Sequence, residues 1–81
     1  MARFEEPAIR SLANRLGCSY EKALKLYERL SRESEDAIDT IFCTTTSFMN
    51  WIHRYFDFDP SFVKMVNSVC YAIWEYLKGL F

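Results

Sequence analysis

The residues whose types could support chemistry are few in this 81-residue chain. His53, the single histidine, precedes Asp57 by four residues, a spacing that places both side chains on one face of a helix. A histidine–carboxylate pair is part of a hydrolytic triad, but no serine or cysteine is placed in the sequence to complete it. Asp57 and Asp59 lack the companions that paired catalytic carboxylates or a metal site need. We therefore expect a protein that is not an enzyme, with no catalytic residue, no metal ligand and no cofactor.

The cysteines are Cys18, Cys43 and Cys70, an odd number without a CxxC pair. Their spacing favours neither a disulfide framework nor a zinc site. Buried free thiols are typical of a reducing compartment. The first residues include Glu5 and Glu6 and contain no apolar run, so no signal peptide is predicted. The sequence therefore predicts a cytoplasmic protein.

Charge and composition narrow the classes of partner. The net charge is −1, with seven basic and four acidic residues in 1–32 and three basic and seven acidic residues in 33–81. This balance disfavours nucleic-acid and membrane partners. Charged residues also interrupt the most apolar stretch, 62–81, so no membrane span is predicted. Aromatic residues make up 17% of the chain and are concentrated in its second half, which favours an interface shared with a second subunit.

Helical spacing recurs along the whole chain, and no alternating strand pattern is sustained. The sequence predicts an all-α bundle of about five helices in a single domain, 1–81. Capping residues and apolar stripes set the boundaries. Whether the third and fourth helices are separate or form one bent rod is left open. The predicted helices are 7–16, ended by Gly17; 20–31, after the cap Ser19; one after the cap Ser34, with Ile41 and Phe42 inward; one after Ser47; and Pro60 to about Lys78, after the cap Asp59.

A spacing pattern runs through residues 9–42. Its members are the loop Leu16-Gly17-Cys18, then Ala23 after four residues, Leu26-Tyr27, Ala37-Ile38 and the apolar pair Ile41-Phe42. This pattern resembles that of ubiquitin-associated (UBA-like) three-helix domains, in which a Met-Gly-Phe-type loop is followed by four residues and an alanine. The resemblance implies a UBA-like part over 7–43, to which residues 47–81 add an aromatic helical hairpin.

The resemblance also implies an exposed apolar patch that binds a protein partner, a ubiquitin-like protein among the candidates. Carried over position by position, this patch consists of Leu16, Gly17, Cys18, Ile41 and Phe42. The alternative is that the same apolar residues form only a core, covered by the later helices. The sequence does not decide between these two interpretations.

The fifth predicted helix carries an apolar stripe that also has two interpretations. Because apolar residues extend beyond a single face of this helix, it needs neighbouring helices on two sides. The stripe is therefore either the core of the hairpin or the interface of a homodimer. Its residues are Phe62, Val66, Val69, Ile73, Trp74 and Leu77.

Two functions follow from these patterns. The first is a non-enzymatic protein–protein interaction module, an adaptor or an inhibitor that covers a partner through apolar helical surfaces. The alternative is a helix-turn-helix transcriptional regulator that dimerises through the last helix. In that case Lys22, Lys25 and Arg29 would contact DNA phosphates, although acidic side chains on the same helix disfavour this.

Overall fold

The computed structural model describes the backbone of residues 2–81 and the side chains of residues 6–81. Over this range the chain forms six α-helices and no strand. The all-α prediction is confirmed, and the described chain has six helices where about five were predicted. The helices are α1 (Ala2–Leu16), α2 (Tyr20–Ser31), α3 (Glu35–Ile41), α4 (Thr45–Phe56), α5 (Pro60–Ser68) and α6 (Cys70–Leu80).

Three predicted helix starts are confirmed in atomic detail. Ser19, Ser34 and Asp59 are the N-caps of α2, α3 and α5, and each side-chain oxygen accepts a hydrogen bond from the amide three residues later, at 3.2 to 3.3 Å. Pro60 occupies the first turn of α5, where its missing N–H costs nothing. Each cap satisfies an amide that the helix itself leaves without a partner.

The start of α4 differs from the prediction. The N-cap is Thr44, whose hydroxyl oxygen accepts a hydrogen bond from the Ser47 amide at 3.0 Å. The Ser47 hydroxyl lies 2.9 Å from that of Thr44, so Ser47 supports the cap from inside the helix. Helices α3 and α4 are separate, because the chain leaves helical geometry at Phe42 and caps a new helix two residues later.

The predicted fifth helix is two helices, which is why the count is six. The chain turns at Val69, whose φ of −123° and ψ of 29° lie outside the helical range. Ser68 donates its hydroxyl to the Met65 carbonyl at 2.7 Å, and such local bonds compete with helix continuation. Since Val69 is β-branched, it also weakens the helix at this point. The turn allows α5 and α6 each to contact α4.

The first helix is longer than predicted. It begins at Ala2, so Pro7 lies inside it rather than in its first turn. Proline has no amide hydrogen, so one helical hydrogen bond is missing at this position. The predicted end of the helix at Leu16 is confirmed.

The six helices group into two compact units, one that ends at Glu33 and one over Ser34–Phe81. In the first unit α1 packs against α2. In the second unit α4 is central and contacts α3, α5 and α6. Helix α3, which the UBA-like pattern groups with the first two helices, belongs to the second unit. The UBA-like resemblance itself stays a prediction.

Each unit contributes buried apolar side chains. The buried residues of the first unit are Ile9, Leu12, Ala13, Leu16, Ala23, Leu26 and Leu30. Those of the second unit are Ile41, Phe42, Phe48, Met49, Trp51, Ile52, Phe56, Phe62, Val63, Val66, Ile73 and Leu77. The second set is rich in aromatic residues, and ring stacking joins its elements, as between Phe42 and Phe48, whose centroids are 5.5 Å apart.

The end of α1 depends on the backbone conformation of Gly17. This residue has a φ of +73°, and its amide donates to the Ala13 carbonyl at 2.8 Å, closing the helix. We expect Gly17→Ala to lower the free energy of unfolding by about 1 kcal/mol, because a side chain disfavours positive φ. A Cβ at this position would meet no atom within 4 Å, so the loss comes from the backbone alone.

Gly79 is the matched control for this prediction. It lies inside α6 with open space around it and no positive φ, so Gly79→Ala should raise stability by up to about 1 kcal/mol. Urea denaturation of both variants measures the two effects. Equal changes of the same sign would contradict this account of the α1 end.

None of the helices described over residues 2–81 has both the length and the apolar character required to cross a lipid bilayer.

Candidate protein-interaction site

The apolar patch implied by the UBA-like pattern is mostly buried. Leu16, Ile41 and Phe42 expose only 5%, 6% and 4% of their surface. Gly17 is exposed and Cys18 is half-buried. The loop residues belong to the first unit, and Ile41 and Phe42 belong to the second. These three large side chains are therefore buried, as in the core interpretation that the sequence left open, and the assignment of the five residues to a partner stays a prediction.

The predicted free thiols are present, but they are not uniformly buried. Cys18 and Cys70 are half-buried, and Cys43 is exposed. Burial raises the pKa of the Cys18 thiol, and the nearby Lys22 ammonium opposes this shift in part. Burial also raises the pKa of Cys70, whose thiol lies 4.0 Å from the Thr45 carbonyl oxygen. Both of these thiols are therefore protonated near neutral pH, which makes them poor nucleophiles.

Most of the apolar stripe of the predicted fifth helix belongs to the core of the second unit. Phe62, Val66, Ile73 and Leu77 expose at most 2% of their surface. Val69 and Trp74, the other members of the stripe, are half-buried. These four fully buried side chains are not available to a second subunit, so they act as core residues rather than as interface residues.

Trp74 connects α6 to the end of α3. Its indole N–H donates to the Phe42 carbonyl oxygen at 3.1 Å. The Lys78 ammonium lies 4.6 Å from the centre of the indole ring, within the range of a cation–π interaction. The Trp74 side chain therefore has a structural role inside the second unit.

The residues of the DNA-binding alternative lie along α2. Lys25 is exposed, Lys22 is half-buried, and Arg29 forms an ion pair with Glu33 at 3.2 Å. Exposed acidic residues share this helix, Glu21 and Glu28 among them. The DNA-binding interpretation stays a prediction.

Four large hydrophobic side chains of the second unit are exposed. They are Phe58 at 73%, Tyr71 at 63%, Leu80 at 41% and Phe81 at 41%. We call the three aromatic members, Phe58, Tyr71 and Phe81, the aromatic anchors. They lie in the turn between α4 and α5, in the first turn of α6, and directly after α6.

Each aromatic anchor contacts a more buried ring of the same unit. The centroid distances are 6.0 Å for Phe58 and Phe56, 5.7 Å for Tyr71 and Trp74, and 6.4 Å for Phe81 and Phe42. These distances lie in the range of favourable ring pairs. Phe58 and Phe81 therefore pack on buried rings, and Tyr71 packs on the half-buried ring of Trp74.

Phe58 is presented by a short turn that hydrogen bonds hold at both ends. The Asp59 amide donates to the Phe56 carbonyl at 3.0 Å, and the Asp59 carboxylate accepts from the Phe62 amide and from the Ser61 hydroxyl at 3.1 Å. These hydrogen bonds restrict the conformation of the turn that carries Phe58.

The aromatic anchors were not predicted from the sequence. Two signals could have indicated them. Phe58 stands between two aspartates in the turn before a helix, where a core residue is not expected, and Tyr71 falls outside the apolar stripe of its helix. Phe81 follows the last helical residue and offered no periodicity to interpret.

Among the described residues, the side chains that could take part in catalysis do not form a cluster. His53 on α4 and Asp57, the residue that caps the end of α4, are both exposed. Over the residues that the structure describes, no group of three or more His, Cys, Asp or Glu side chains could hold a metal ion.

Comparison with known proteins identified no relative: no family model, no curated protein and no solved structure matches this chain.

Proposed function

We propose that this protein is a non-enzymatic protein–protein interaction module, an adaptor or an inhibitor that binds or covers a partner protein. The aromatic anchors are the single observation that carries this proposal. Three aromatic rings are exposed, and each contacts a less exposed ring of the same unit; exposed aromatic side chains of this kind are the ones that most often supply binding energy to a protein partner.

The energetics support a role in binding. Burying an exposed phenylalanine side chain in a partner contributes about 1.5–3 kcal/mol. Aromatic side chains also lose little conformational freedom when they bind, because they have only two rotatable bonds. Ring contacts inside the unit restrict that freedom further before a partner arrives.

The charge of the second unit indicates the chemistry of the partner. Residues 34–81 contain three basic and six acidic residues, a net charge of −3. A partner surface with apolar pockets and basic side chains around them complements such a surface. A second copy of this chain is a further candidate, and the free thiols fit a cytoplasmic setting.

The proposal is tested by affinity capture with the full chain from an extract of the cells that make it. We compare the wild type with the double variant Phe58→Ser, Tyr71→Ser, and use Ala72→Ser, an exposed change on α6, as the matched control. A partner held by the wild type and the control should be captured at least tenfold less by the double variant, since about 1.4 kcal/mol corresponds to tenfold.

Two further measurements accompany the capture. Circular dichroism must show that the double variant keeps its helical signal, and light scattering of the purified wild type shows whether the partner is a second copy. Equal capture by the folded double variant and the wild type would contradict the role of the aromatic anchors.

A further inference from the structure

The junction between α5 and α6 consists of one residue. Val69 ends α5 and is also the N-cap of α6, and the chain is helical up to Ser68 and again from Cys70. Between Pro60 and Leu80 the chain leaves helical geometry at Val69 alone, where φ is −123° and ψ is 29°. A change of this residue to the helical values of about −63° and −42° would join α5 and α6 into one helix.

The start of α6 has no cap that holds the bend. Helices α2, α3, α4 and α5 each begin after a serine, threonine or aspartate whose side-chain oxygen accepts a hydrogen bond from an amide of the first turn. Val69 makes no such bond, and valine is among the least favourable N-cap residues. In a joined helix the first amides of α6 would donate to carbonyls of α5 and would need no cap. The start of α6 therefore lacks the local interaction that fixes the starts of α2 to α5.

A joined helix over residues 60–80 would keep the buried side chains on one face. At about 100° per residue, five residues of the predicted apolar stripe lie within about 80° of one another around such a helix. They are Phe62, Val66, Val69, Ile73 and Leu77. In the bent form Val69 is half-buried, and the other four are fully buried. The same set can therefore be buried whether or not the chain bends at Val69.

Contacts with residues far along the chain hold α6 in place. This helix packs on α4, and Ile73 and Leu77 expose none of their surface. The Trp74 indole donates to the carbonyl oxygen of Phe42, which lies 32 positions earlier. These contacts do not depend on the connection at Val69, so the α6 of a second copy can make all of them. An exchange of α6 changes only the hinge and adds the entropic cost of association, which makes it a low-cost route to a dimer.

We propose that this chain forms a dimer by exchanging α6 between two copies. In the exchanged dimer α5 and α6 of each copy join into one helix at Val69, and each α6 packs on the α4 of the other copy. Ile73 and Leu77 remain core residues, because they leave the core of their own copy only to enter the same core of the other. The partner in this inference is a second copy of the chain, and the inference does not depend on the aromatic anchors.

Two substitutions at the hinge should shift the equilibrium in opposite directions. Val69→Asn gives α6 an N-cap and disfavours a helix interior, so it should raise the dissociation constant of the dimer at least about tenfold. Val69→Ala supplies no cap and favours a helix interior, so it should lower that constant about fivefold. Because exchange requires α6 to leave its own core, the full chain is unfolded in urea and refolded at a series of concentrations. Sedimentation equilibrium then measures the dissociation constant.

Met65 provides the matched control for these substitutions. It is half-buried on α5 and lies inside a helix in both the bent and the joined form. Met65→Asn and Met65→Ala should therefore leave the dissociation constant close to that of the wild type. Circular dichroism shows whether each variant keeps its helical signal.

Hydrogen exchange supplies a readout on the wild type that needs no variant. The amides of Cys70, Tyr71 and Ala72 should exchange at least about tenfold more slowly in the dimer than in the monomer, because the joined helix gives them carbonyl partners. A dimer formed by surface contact alone keeps the bend and leaves these amides at the start of a helix.

Three results would overturn the exchanged dimer. The first is a wild type that refolds only to monomer at every concentration. The second is a dimer with the same dissociation constant in both folded Val69 variants. The third is a wild-type dimer in which the amides of residues 70–72 are no better protected than in the monomer.

Discussion

Phe48→Ala should unfold the second unit or bring it close to unfolding. Phe48 is fully buried on the central helix α4, and its ring stacks on Phe42 at a centroid distance of 5.5 Å. Removing a buried phenylalanine ring costs about 3–5 kcal/mol, because contacts are lost and a cavity remains. A small domain has a free energy of unfolding of about 5–15 kcal/mol, so this single change removes much of it.

Urea denaturation followed by tryptophan fluorescence measures this effect, because Trp51 and Trp74 both lie in the second unit. Phe58→Ala is the matched control, since the chemical change is identical and the side chain is 73% exposed. Its free energy of unfolding should stay within about 0.5 kcal/mol of the wild type. Similar losses for the two variants would contradict the placement of Phe48 in the core and Phe58 at the surface.

Leu16→Asp is expected to cause the second large loss, in the first unit. Leu16 is 5% exposed at the end of α1. An aspartate there would place a carboxylate among apolar side chains, and a buried charge without a partner costs about 3–5 kcal/mol. The helical circular dichroism signal at 25 °C should therefore fall, and the urea midpoint should decrease.

The control for this change is Asn14→Asp, which introduces the same carboxylate two residues earlier at an exposed position. It should cost less than about 1 kcal/mol, mostly through unfavourable interaction with the C-terminal end of the helix dipole. If Leu16→Asp folds as well as this control, Leu16 is accessible, and the UBA-like interpretation of its loop as a binding surface regains support.

The two predictions have one consequence for function. The residues that a UBA-like resemblance assigns to a partner are largely needed for folding, so substitutions at Leu16, Ile41 or Phe42 would abolish binding by unfolding the chain. The aromatic anchors lie at the surface, so they can be replaced without removing a buried side chain. Binding and folding can therefore be tested separately in this protein.

The sequence by itself determined the features that depend on neighbours a few residues away. The caps Ser19, Ser34 and Asp59 each bond to the amide three residues later, and Gly17 closes the helix directly before it. Such interactions can be predicted from the types of residues that lie a few positions apart in the sequence. The all-α class and three of the helix starts follow from them.

Only the tertiary structure decided which apolar side chains are buried and which are exposed. Periodicity marks a stripe as apolar, but exposure depends on residues far along the chain. Phe42 is covered partly by Phe81, and its carbonyl accepts a bond from Trp74, 32 residues away. The turn at Val69 belongs to the same category, because it allows α5 and α6 each to contact α4. The aromatic anchors are what that packing leaves exposed, and the local sequence around Phe58 and Tyr71 indicates their exposure without fixing it.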